Sequence, residues 1–424
     1  MSYLVDLVRR HHAGSPVGIY SVCSAHPLVI EAALRQAKAS GTAALIEATS
    51  NQVNQDGGYT GMRPADFRQL VLGIAASVDL AADRVILGGD HLGPNCWQHL
   101  PAREAMDKAQ ILVEQYVEAG FHKIHLDCSM PCAGDALPLS DTVIATRAAR
   151  LCVATEKVWR RKGGEAPVYI LGSEVPTPGG AHESLDKIQV TAPQAALATM
   201  NAHKSALSDA GIAEVWPRVI GLVVQPGVEF DHDKVVEYVP EQAINLSAFI
   251  ESQPTLVYEA HSTDYQSQFA LKALVKGHFA ILKVGPGVTF ALREAIWALD
   301  QIEREWLGVA RSSRVKETLV DVMKADPSHW RKYYEASGES LLLQQQYSLS
   351  DRIRYYWPVK SVEAAVQKLF ANLDAHPPTL AILSQYMPNE YQAIREGTLK
   401  FTAREIVMHH IGTVLNQYAA ACGC

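Results

Sequence analysis

Short apolar runs alternate with longer amphipathic stretches along the first three hundred or so residues of the chain. Eight of these runs are bounded by turn residues and are typical of buried strands. The predicted strands span residues 18–24, 43–49, 85–89, 123–127, 168–174, 219–225, 255–259 and 279–284. The segments between them are long enough for helices, and apolar residues recur with helical spacing in 27–39 and 64–76.

Nearly continuous apolar strands that alternate with helices predict a parallel sheet covered on both faces. Eight such units favour a closed (β/α)8 TIM barrel over residues 1–310, with an open doubly wound sheet as the alternative. Residues 311–424 show no further strand pattern and are richer in Tyr, Trp and Arg. We expect them to form a helical C-terminal extension, with helices near 315–324 and 362–373, that packs on or over the barrel.

Composition narrows the classes of partner. The 424 residues are 48% hydrophobic and 20% charged, with a formal net charge of −7. Since Lys and Arg are scattered, neither nucleic acid nor an anionic membrane is expected as a partner. No apolar run approaches the roughly 18 residues that span a bilayer, the first residues lack a signal-peptide layout, and the seven cysteines include no CxxC pair. These features predict a cytoplasmic protein.

Polar residues follow the predicted strands one after another. In a TIM barrel the carboxyl ends of all strands meet at one rim, which carries the chemistry. The candidates along the chain are Ser24, Asn51, Asp90, His91, Asp127, Glu174, Gln225, His261, Ser262 and Lys283. Their recurrence predicts a single site at this rim. The residues expected to bind substrate there are Ser24, Asn51, Asp127, Gln225, Ser262 and Lys283.

The pair Asp90-His91 after the third strand is the most informative part of this rim. Imidazole is a common metal ligand, and an adjacent carboxylate can act as a base toward what the metal binds. We expect His91 and His261 to share one divalent cation, with Glu174 as the third ligand, and a metal-free polar network is the alternative. Other candidates for the third ligand are Glu259, Glu229 and His232.

Three further features bear on an anionic substrate. Lys283 is a candidate charge partner or Schiff-base residue, whereas Lys123 lies near its strand start and is expected to face the wrong end. The turn Gly285-Pro-Gly287 opens a helix whose N–H groups suit a phosphate. Arg352 in the extension is expected to cover the barrel mouth and bind phosphate in a bidentate manner; packing on the barrel wall or on a neighbouring subunit is the alternative.

Specific strings along the whole chain resemble one known family. They are CSAHP at 23–27, EATSNQ at 47–52, GGYTG at 57–61, GGDHLGP at 88–94, HLDCS at 125–129, EVPTPGGAH at 174–182, VQPGVEFDH at 224–232, EAHSTDY at 259–265 and SDRIRYYWP at 350–358. The chain resembles the GatZ/KbaZ family, the second subunit of tagatose-1,6-bisphosphate aldolase systems in galactitol and N-acetylgalactosamine catabolism.

That family is more distantly similar to the zinc-dependent class II ketose-bisphosphate aldolases. The resemblance implies that Asp90 is a general acid/base, that His91 and His261 are zinc ligands, and that Glu174 belongs to the same site. The chain departs from the class II pattern where Gln225 stands in place of a strand-end His. It also has Ser262 and its neighbours where those enzymes have a glycine-rich phosphate loop.

Two hypotheses for function follow from the resemblance. The first is a metal-dependent ketose or ketose-phosphate enzyme that breaks the C3–C4 bond, giving either cleavage or C4 epimerisation between fructose and tagatose skeletons. His182, on a loop, is then a candidate second acid/base. The second is a non-catalytic, chaperone-like subunit that supports a separate catalytic aldolase partner. A homo-oligomer is expected in either case.

Overall fold

The computed structural model describes residues 2–172 and 188–423. The strands are β1 (Ile19–Cys23), β2 (Ala44–Thr49), β3 (Val85–Leu92), β4 (Lys123–Leu126), β5 (Val168–Leu171), β6 (Val219–Val223), β7 (Glu229–Phe230), β8 (Val235–Val236), β9 (Val257–Ala260) and β10 (Ile281–Val284). The helices are α1 (Tyr3–His12), α2 (Pro27–Ser40), α3 (Pro64–Ser77), α4 (Ala102–Glu118), α5 (Asp141–Lys162), α6 (Pro193–Asp209), α7 (Pro240–Glu251), α8 (Gln268–Lys276), α9 (Pro286–Leu307), α10 (Val315–Ala325), α11 (Gly338–Tyr347), α12 (Lys360–Ala375), α13 (Leu380–Tyr386), α14 (Pro388–Arg395) and α15 (Ala403–Ala421).

Eight of these strands close into a parallel barrel. Their order around the barrel is β1, β2, β3, β4, β5, β6, β9 and β10, and β10 returns to β1 with Ile281 opposite Ile19. Closure excludes the open doubly wound sheet, so the predicted (β/α)8 TIM barrel is confirmed.

Apolar side chains fill the end of the barrel where the strands begin. Leu4, Leu7 and Val8 of α1 are buried and share one apolar cluster with strand residues such as Ile19 and Ile281. Helix α1 therefore closes this end by burying apolar surface, and the polar side chains of the strands collect toward the other end.

The C-terminal helices pack on the outside of the barrel. Helix α15 lies against α2, α8 and α9, and buried residues such as Leu369 and Ile411 join the same apolar cluster as the barrel helices. The predicted helical extension that packs on the barrel is thus confirmed, while the division of the chain at residue 310 stays a prediction. Within the described ranges, no helix combines the length and apolarity that crossing a membrane requires.

Two strand boundaries differ from the sequence-based ones in a way that matters for the site. Strand β3 continues to Leu92, so Asp90 and His91 lie within the strand, near its end, and not after it. The segment after β6 forms a short antiparallel hairpin, in which Glu229 of β7 pairs with Val236 of β8. Neither feature changes the barrel, but the first decides where the Asp90 and His91 side chains point.

Candidate active site

The end of β3 is irregular. As a result the side chains of Asp90 and His91, although consecutive in sequence, line the same cavity. In a regular strand, successive side chains point to opposite faces. The pairing of β3 with β4 shifts register between Gly89 and Leu92, and His91 has a φ of 48°, which is uncommon for a residue with a side chain. Asp90 and His91 are both buried and both line one cavity at the barrel mouth. Bulges of this kind recur beside active sites because they redirect side chains.

Strand β4 and the residue after it supply an imidazole and a carboxylate on the same inward face. His125 and Asp127 are two residues apart, the spacing that places side chains on one side of a strand. Asp127 Oδ2 lies 2.8 Å from His91 Nδ1, and its Oδ1 accepts hydrogen bonds from the backbone N–H and the hydroxyl of Ser129 at 3.0 and 2.6 Å. Asp127 therefore orients His91 so that Nε2 is left for another partner.

Burial and the neighbouring charges act in opposite directions on the ionisation of Asp127 and His91. Burial disfavours the Asp127 carboxylate, but the hydrogen bond and charge of His91 outweigh it and hold the pKa of Asp127 below its usual range. Burial also disfavours the imidazolium of His91, yet Asp90 and Asp127 outweigh that effect and raise the pKa of His91. The sequence predicted Asp127 as a substrate-binding residue, whereas its oxygens here contact His91 and Ser129.

His261 directly follows β9 and is held from below by a residue of that strand. Its Nε2 lies 2.9 Å from Glu259 Oε1, which leaves Nδ1 for another partner. Burial lowers the pKa of His261 to about 4, so the imidazole is neutral near neutral pH. Neutral imidazole is the form that binds metals.

Four of these side chains form what we call the histidine cluster: Asp90, His91, His125 and His261. One ligand atom from each lies within 4.8 Å of the others, and all four residues are buried. The three ring centroids are 4.9 to 5.2 Å apart. Imidazole nitrogens with a carboxylate oxygen are a donor set suited to zinc and to other divalent transition metals, so this cluster is capable of holding a metal ion.

A layer of buried charges lies deeper in the barrel. Lys123 Nζ is 2.6 Å from Glu47 Oε1 and 2.6 Å from Glu259 Oε2. Lys283 Nζ contacts Glu47 Oε2 and lies 2.9 Å from Asp90 Oδ1. Each lysine thus pairs with two carboxylates, and such pairing is what makes the burial of these charges tolerable.

This charge layer changes both lysine interpretations. Lys123 was expected to face the wrong end, but its fully buried side chain extends inside the barrel to Glu47 and Glu259. For Lys283, burial disfavours the ammonium, yet Asp90 and Glu47 outweigh it and raise its pKa well above the usual value. An ammonium has no lone pair for attack on a carbonyl, so the Schiff-base hypothesis loses its support.

A cavity of about 80 Å³ opens over the histidine cluster. Four predicted substrate-binding residues line it, namely Asn51, Ser262, Lys283 and Gly285. Other lining residues are Cys23, Thr49, Gln52, Tyr59, Phe230, Asp264, Arg354 and Tyr355. A second cavity of about 580 Å³ shares Gln52, Tyr59 and Arg354 with the first, so the two adjoin.

The helix start expected to bind phosphate is already occupied by a side chain. Asp264 Oδ1 accepts hydrogen bonds from the N–H groups of Gly285 and Gly287, at 2.8 and 2.7 Å. Burial raises the pKa of Asp264 to about 6. Gly285 lines the cavity as predicted, but its N–H has an acidic partner within the chain, which corrects the expectation of a phosphate there.

Three other predicted substrate-binding residues lie away from the first cavity. Ser24 Oγ accepts a hydrogen bond from the His26 N–H at 3.2 Å and lines the second cavity. Gln225 Oε1 accepts from two backbone N–H groups of its own turn, at 2.8 and 3.0 Å. Arg352 stacks its guanidinium 3.2 Å from the centre of the ring of Tyr333, another residue of the extension, and does not line the first cavity.

Five further residues were predicted to bind the metal or to act as acid/base, namely Glu174, His182, Glu259, Glu229 and His232. Glu174 and His182 lie outside the described residues. Of the alternatives, Glu259 contacts His261 and Lys123 instead of completing the cluster. His232 Nδ1 pairs with Ser348 Oγ at 2.9 Å, and Glu229 lies in the β7–β8 hairpin.

Comparison with known proteins places the chain. The family model described as D-tagatose-1,6-bisphosphate aldolase subunit GatZ/KbaZ-like matches residues 4–423. The chain belongs to the GatZ/KbaZ-like family. It is also similar to a crystal structure from Sinorhizobium meliloti 1021, described as a probable tagatose 6 phosphate kinase, with 47% identity, a TM-score of 0.89 and coverage of 96% of this chain and 100% of that one.

A fructose-bisphosphate aldolase from Campylobacter jejuni is a more remote match. It is 13% identical, with a TM-score of 0.45 over 87% of this chain and 91% of that one. A likeness at this level is too weak to bear on the function.

Several site residues of this GatZ/KbaZ-like chain were not singled out from the sequence. Glu47, His125 and Asp264 had no predicted role, and Arg354 was considered only beside Arg352. The alternation of Lys123, His125 and Asp127 through an otherwise apolar strand was a usable signal, because period two marks one face. The acid Glu47 inside an otherwise apolar run was a second usable signal. No local pattern distinguishes Arg354 from Arg352, since both lie in one 3₁₀ helix of four residues.

Proposed function

We propose that this GatZ/KbaZ-like protein is a metal-dependent enzyme of ketose phosphates that breaks the C3–C4 bond by retro-aldol chemistry. If the aldehyde fragment rotates before the bond re-forms, the product is the C4 epimer, linking fructose and tagatose skeletons. If the fragment leaves, the result is cleavage. The histidine cluster at the cavity is the observation that carries this proposal.

The proposed metal ligands are His91, His125 and His261, with the carboxylate of Asp90 within reach and Glu174 retained as a candidate from the sequence. Bound there, zinc would act as a Lewis acid toward a ketose carbonyl and its neighbouring hydroxyl. Asp127 and Glu259 would orient the outer nitrogens of His91 and His261, as carboxylates commonly do for metal-binding histidines.

In this proposal Asp90 accepts the proton of the C4 hydroxyl as the C3–C4 bond breaks. Burial disfavours its charged form, but His91 and Lys283 outweigh burial and hold the pKa of Asp90 well below its usual value, so the acceptor is ionised. Asn51 and Ser262 line the cavity with polar side chains and are proposed to bind sugar hydroxyls. His182 remains the proposed second acid/base.

A second candidate function has one observation in its favour. The family is described as an aldolase subunit, which fits a protein that supports a separate class II tagatose-bisphosphate aldolase without turnover of its own. Such a protein does not need a metal in the cluster for its effect on the partner.

The test uses the purified full-length chain alone. Metal content is measured before and after treatment with a chelator, and the protein is then incubated with fructose 6-phosphate and with tagatose 6-phosphate. We expect bound metal and a metal-dependent product, either the C4 epimer or a triose pair. His91→Ala and His125→Ala should remove both, whereas His99→Ala, on an exposed loop, should retain both.

Metal-replete protein that gives no product from any ketose phosphate would reject the enzymatic proposal. The accessory function is then tested by adding the chain to a purified class II tagatose-bisphosphate aldolase and measuring the activity and heat resistance of that enzyme. An increase that survives in His91→Ala would favour the accessory role.

A further inference from the structure

Among the described residues, two long cationic side chains line the cavity over the histidine cluster, and their surroundings differ. Lys283 is surrounded by carboxylates, with Glu47, Asp90 and Glu259 all within 3.9 Å of its Nζ. Its charge is therefore already balanced inside the protein. Arg354 is the other, and it reaches the cavity from the C-terminal extension.

Arg354 is held in place by neutral groups. Its Nη1 donates to the backbone carbonyls of Ser350 and Asp351, and its Nη2 donates to the Tyr355 hydroxyl at 3.3 Å. The nearby Asp351 carboxylate is taken by Thr289 at 2.6 Å and by Arg293 at 3.7 Å. Among the described residues, Arg354 forms no ion pair with a carboxylate.

The donors that remain on Arg354 form a recognisable edge. A guanidinium has five N–H donors, and three are used by the carbonyls and the hydroxyl. Those left are the Nε–H and one of the two N–H groups of Nη2, and Nε and Nη2 are adjacent on the planar group. This edge matches two oxygens of a phosphate.

The other place where a barrel of this kind holds phosphate is closed. The N–H groups of Gly285 and Gly287 donate to Asp264 Oδ1, and Asp264 itself lines the cavity. A phosphate at this helix start would have to displace a carboxylate that is already hydrogen-bonded there.

The shape of the cavities agrees with an anion at Arg354. The space over the cluster is about 80 Å³, whereas the adjoining cavity is about 580 Å³, and Arg354 lines both. Arg354 therefore lies where the two cavities meet, beside a space large enough for a phosphate.

We infer that Arg354 binds the terminal phosphate of the substrate and that Asp264 leaves no place for a second one, so the site accepts a ketose with a single phosphate. This inference rests on the proposed function. It replaces Arg352 with Arg354 as the phosphate-binding residue.

The test measures binding by isothermal titration calorimetry with the full-length, metal-replete protein. The probes are fructose, fructose 6-phosphate, fructose 1,6-bisphosphate and inorganic phosphate. The wild-type protein should bind fructose 6-phosphate more tightly than fructose, inorganic phosphate should compete, and the bisphosphate should bind no more tightly than the monophosphate.

Arg354→Gln should weaken fructose 6-phosphate binding by about 10- to 100-fold, the loss expected for charge-assisted hydrogen bonds, and leave fructose binding unchanged. Arg354→Lys should recover part of the preference, and Arg352→Gln should keep it. Asp264→Ala should increase the affinity for the bisphosphate relative to the monophosphate, because it frees the N–H groups of Gly285 and Gly287.

An unchanged preference for the phosphorylated sugar in Arg354→Gln would overturn the inference, and so would tenfold tighter binding of the bisphosphate by the wild-type protein. Absence of any phosphate-dependent binding would do the same. These outcomes are separate from turnover: a chain that binds fructose 6-phosphate through Arg354 but converts nothing retains the phosphate site and loses the proposed enzyme.

Discussion

The two ends of the barrel each carry three neighbouring histidines, and they differ in what those histidines can do. At the mouth, the rings of His91, His125 and His261 have centroids 4.9 to 5.2 Å apart. At the opposite end, the rings of His11, His12 and His278 are 5.1 to 6.1 Å apart. Distance between rings alone hardly separates the two groups.

The partners of the ring nitrogens separate them. At the closed end, His11 Nδ1 and His12 Nε2 each lie 2.7 Å from a backbone carbonyl, and His11 Nε2 lies 2.9 Å from His278 Nδ1. At the mouth, the buried carboxylates of Asp127 and Glu259 each contact one nitrogen of His91 and of His261, and His125 Nδ1 lies 3.0 Å from Asp90 Oδ1. A carboxylate on one ring nitrogen orients the other nitrogen, which is the common arrangement in metal-binding histidines.

The largest effect is expected from removing an imidazole at each end. His125→Ala should reduce bound metal from about one ion per chain to almost none, because it removes one of the three proposed imidazole ligands. His278→Ala should leave the metal content unchanged. Elemental analysis of both purified variants measures the metal content. Equal metal loss in the two would contradict the proposed difference between the two ends of the barrel.

The next comparison is between the buried charges beneath the mouth and the apolar side chains that fill the opposite end of the barrel. Lys283→Met leaves Glu47, Asp90 and Glu259 with one fewer counter-charge and should lower the free energy of unfolding by about 3–5 kcal/mol. The exposed Lys276→Met should change it by less than about 0.5 kcal/mol. Urea denaturation monitored by circular dichroism gives both values. A Lys283→Met protein as stable as wild type would mean that the charge layer does not need this cation.

A matched pair of carboxylates tests the support of the rings. Glu259 lies 2.9 Å from His261 Nε2, and Glu251 lies 3.2 Å from His278 Nε2. Glu259→Gln should weaken metal binding by about 10- to 100-fold, whereas Glu251→Gln should not alter it. Competition with a chromogenic chelator measures the affinities, and the comparison fails if Glu259→Gln binds metal as tightly as wild type.

The smallest effect is in the pH dependence of stability of the chelator-treated protein. Burial lowers the pKa of His11 from 6.5, so the unfolded chain takes up this proton first and the stability falls as the pH drops below 6.5. For His91, burial is outweighed by Asp90 and Asp127, and its pKa is raised. Its stabilising contribution is complete below pH 6.5 and is lost as the pH rises through the folded-state pKa.

Denaturation of wild type, His11→Gln and His91→Gln between pH 5 and pH 9 distinguishes the two opposite pH dependences of stability. The stability of wild type relative to His11→Gln should decrease toward acid pH. Relative to His91→Gln it should decrease toward alkaline pH. The same direction in both comparisons would contradict the assignment of opposite surroundings to the two rings.

The sequence by itself determined the barrel and part of its rim. The apolar runs located every barrel strand, because a strand buried on both faces must be apolar along its length. The acid and imidazole at Asp90, His91 and His261 were visible because the carboxyl ends of parallel strands share one edge. These features depend on local pattern and on chain order, which the sequence contains.

Only the tertiary structure decided which side chains meet. His125 sits within β4, which pairs with β3, and joins the cluster because the closed barrel brings the end of β9, three strands away, to the same mouth. Asp264 takes the N–H groups of Gly285 and Gly287 across a loop, which no spacing rule foretells. Arg354 reaches the cavity while Arg352 stacks on Tyr333. In so short a helix, the direction of each side chain follows from packing and not from the spacing of residues along the sequence.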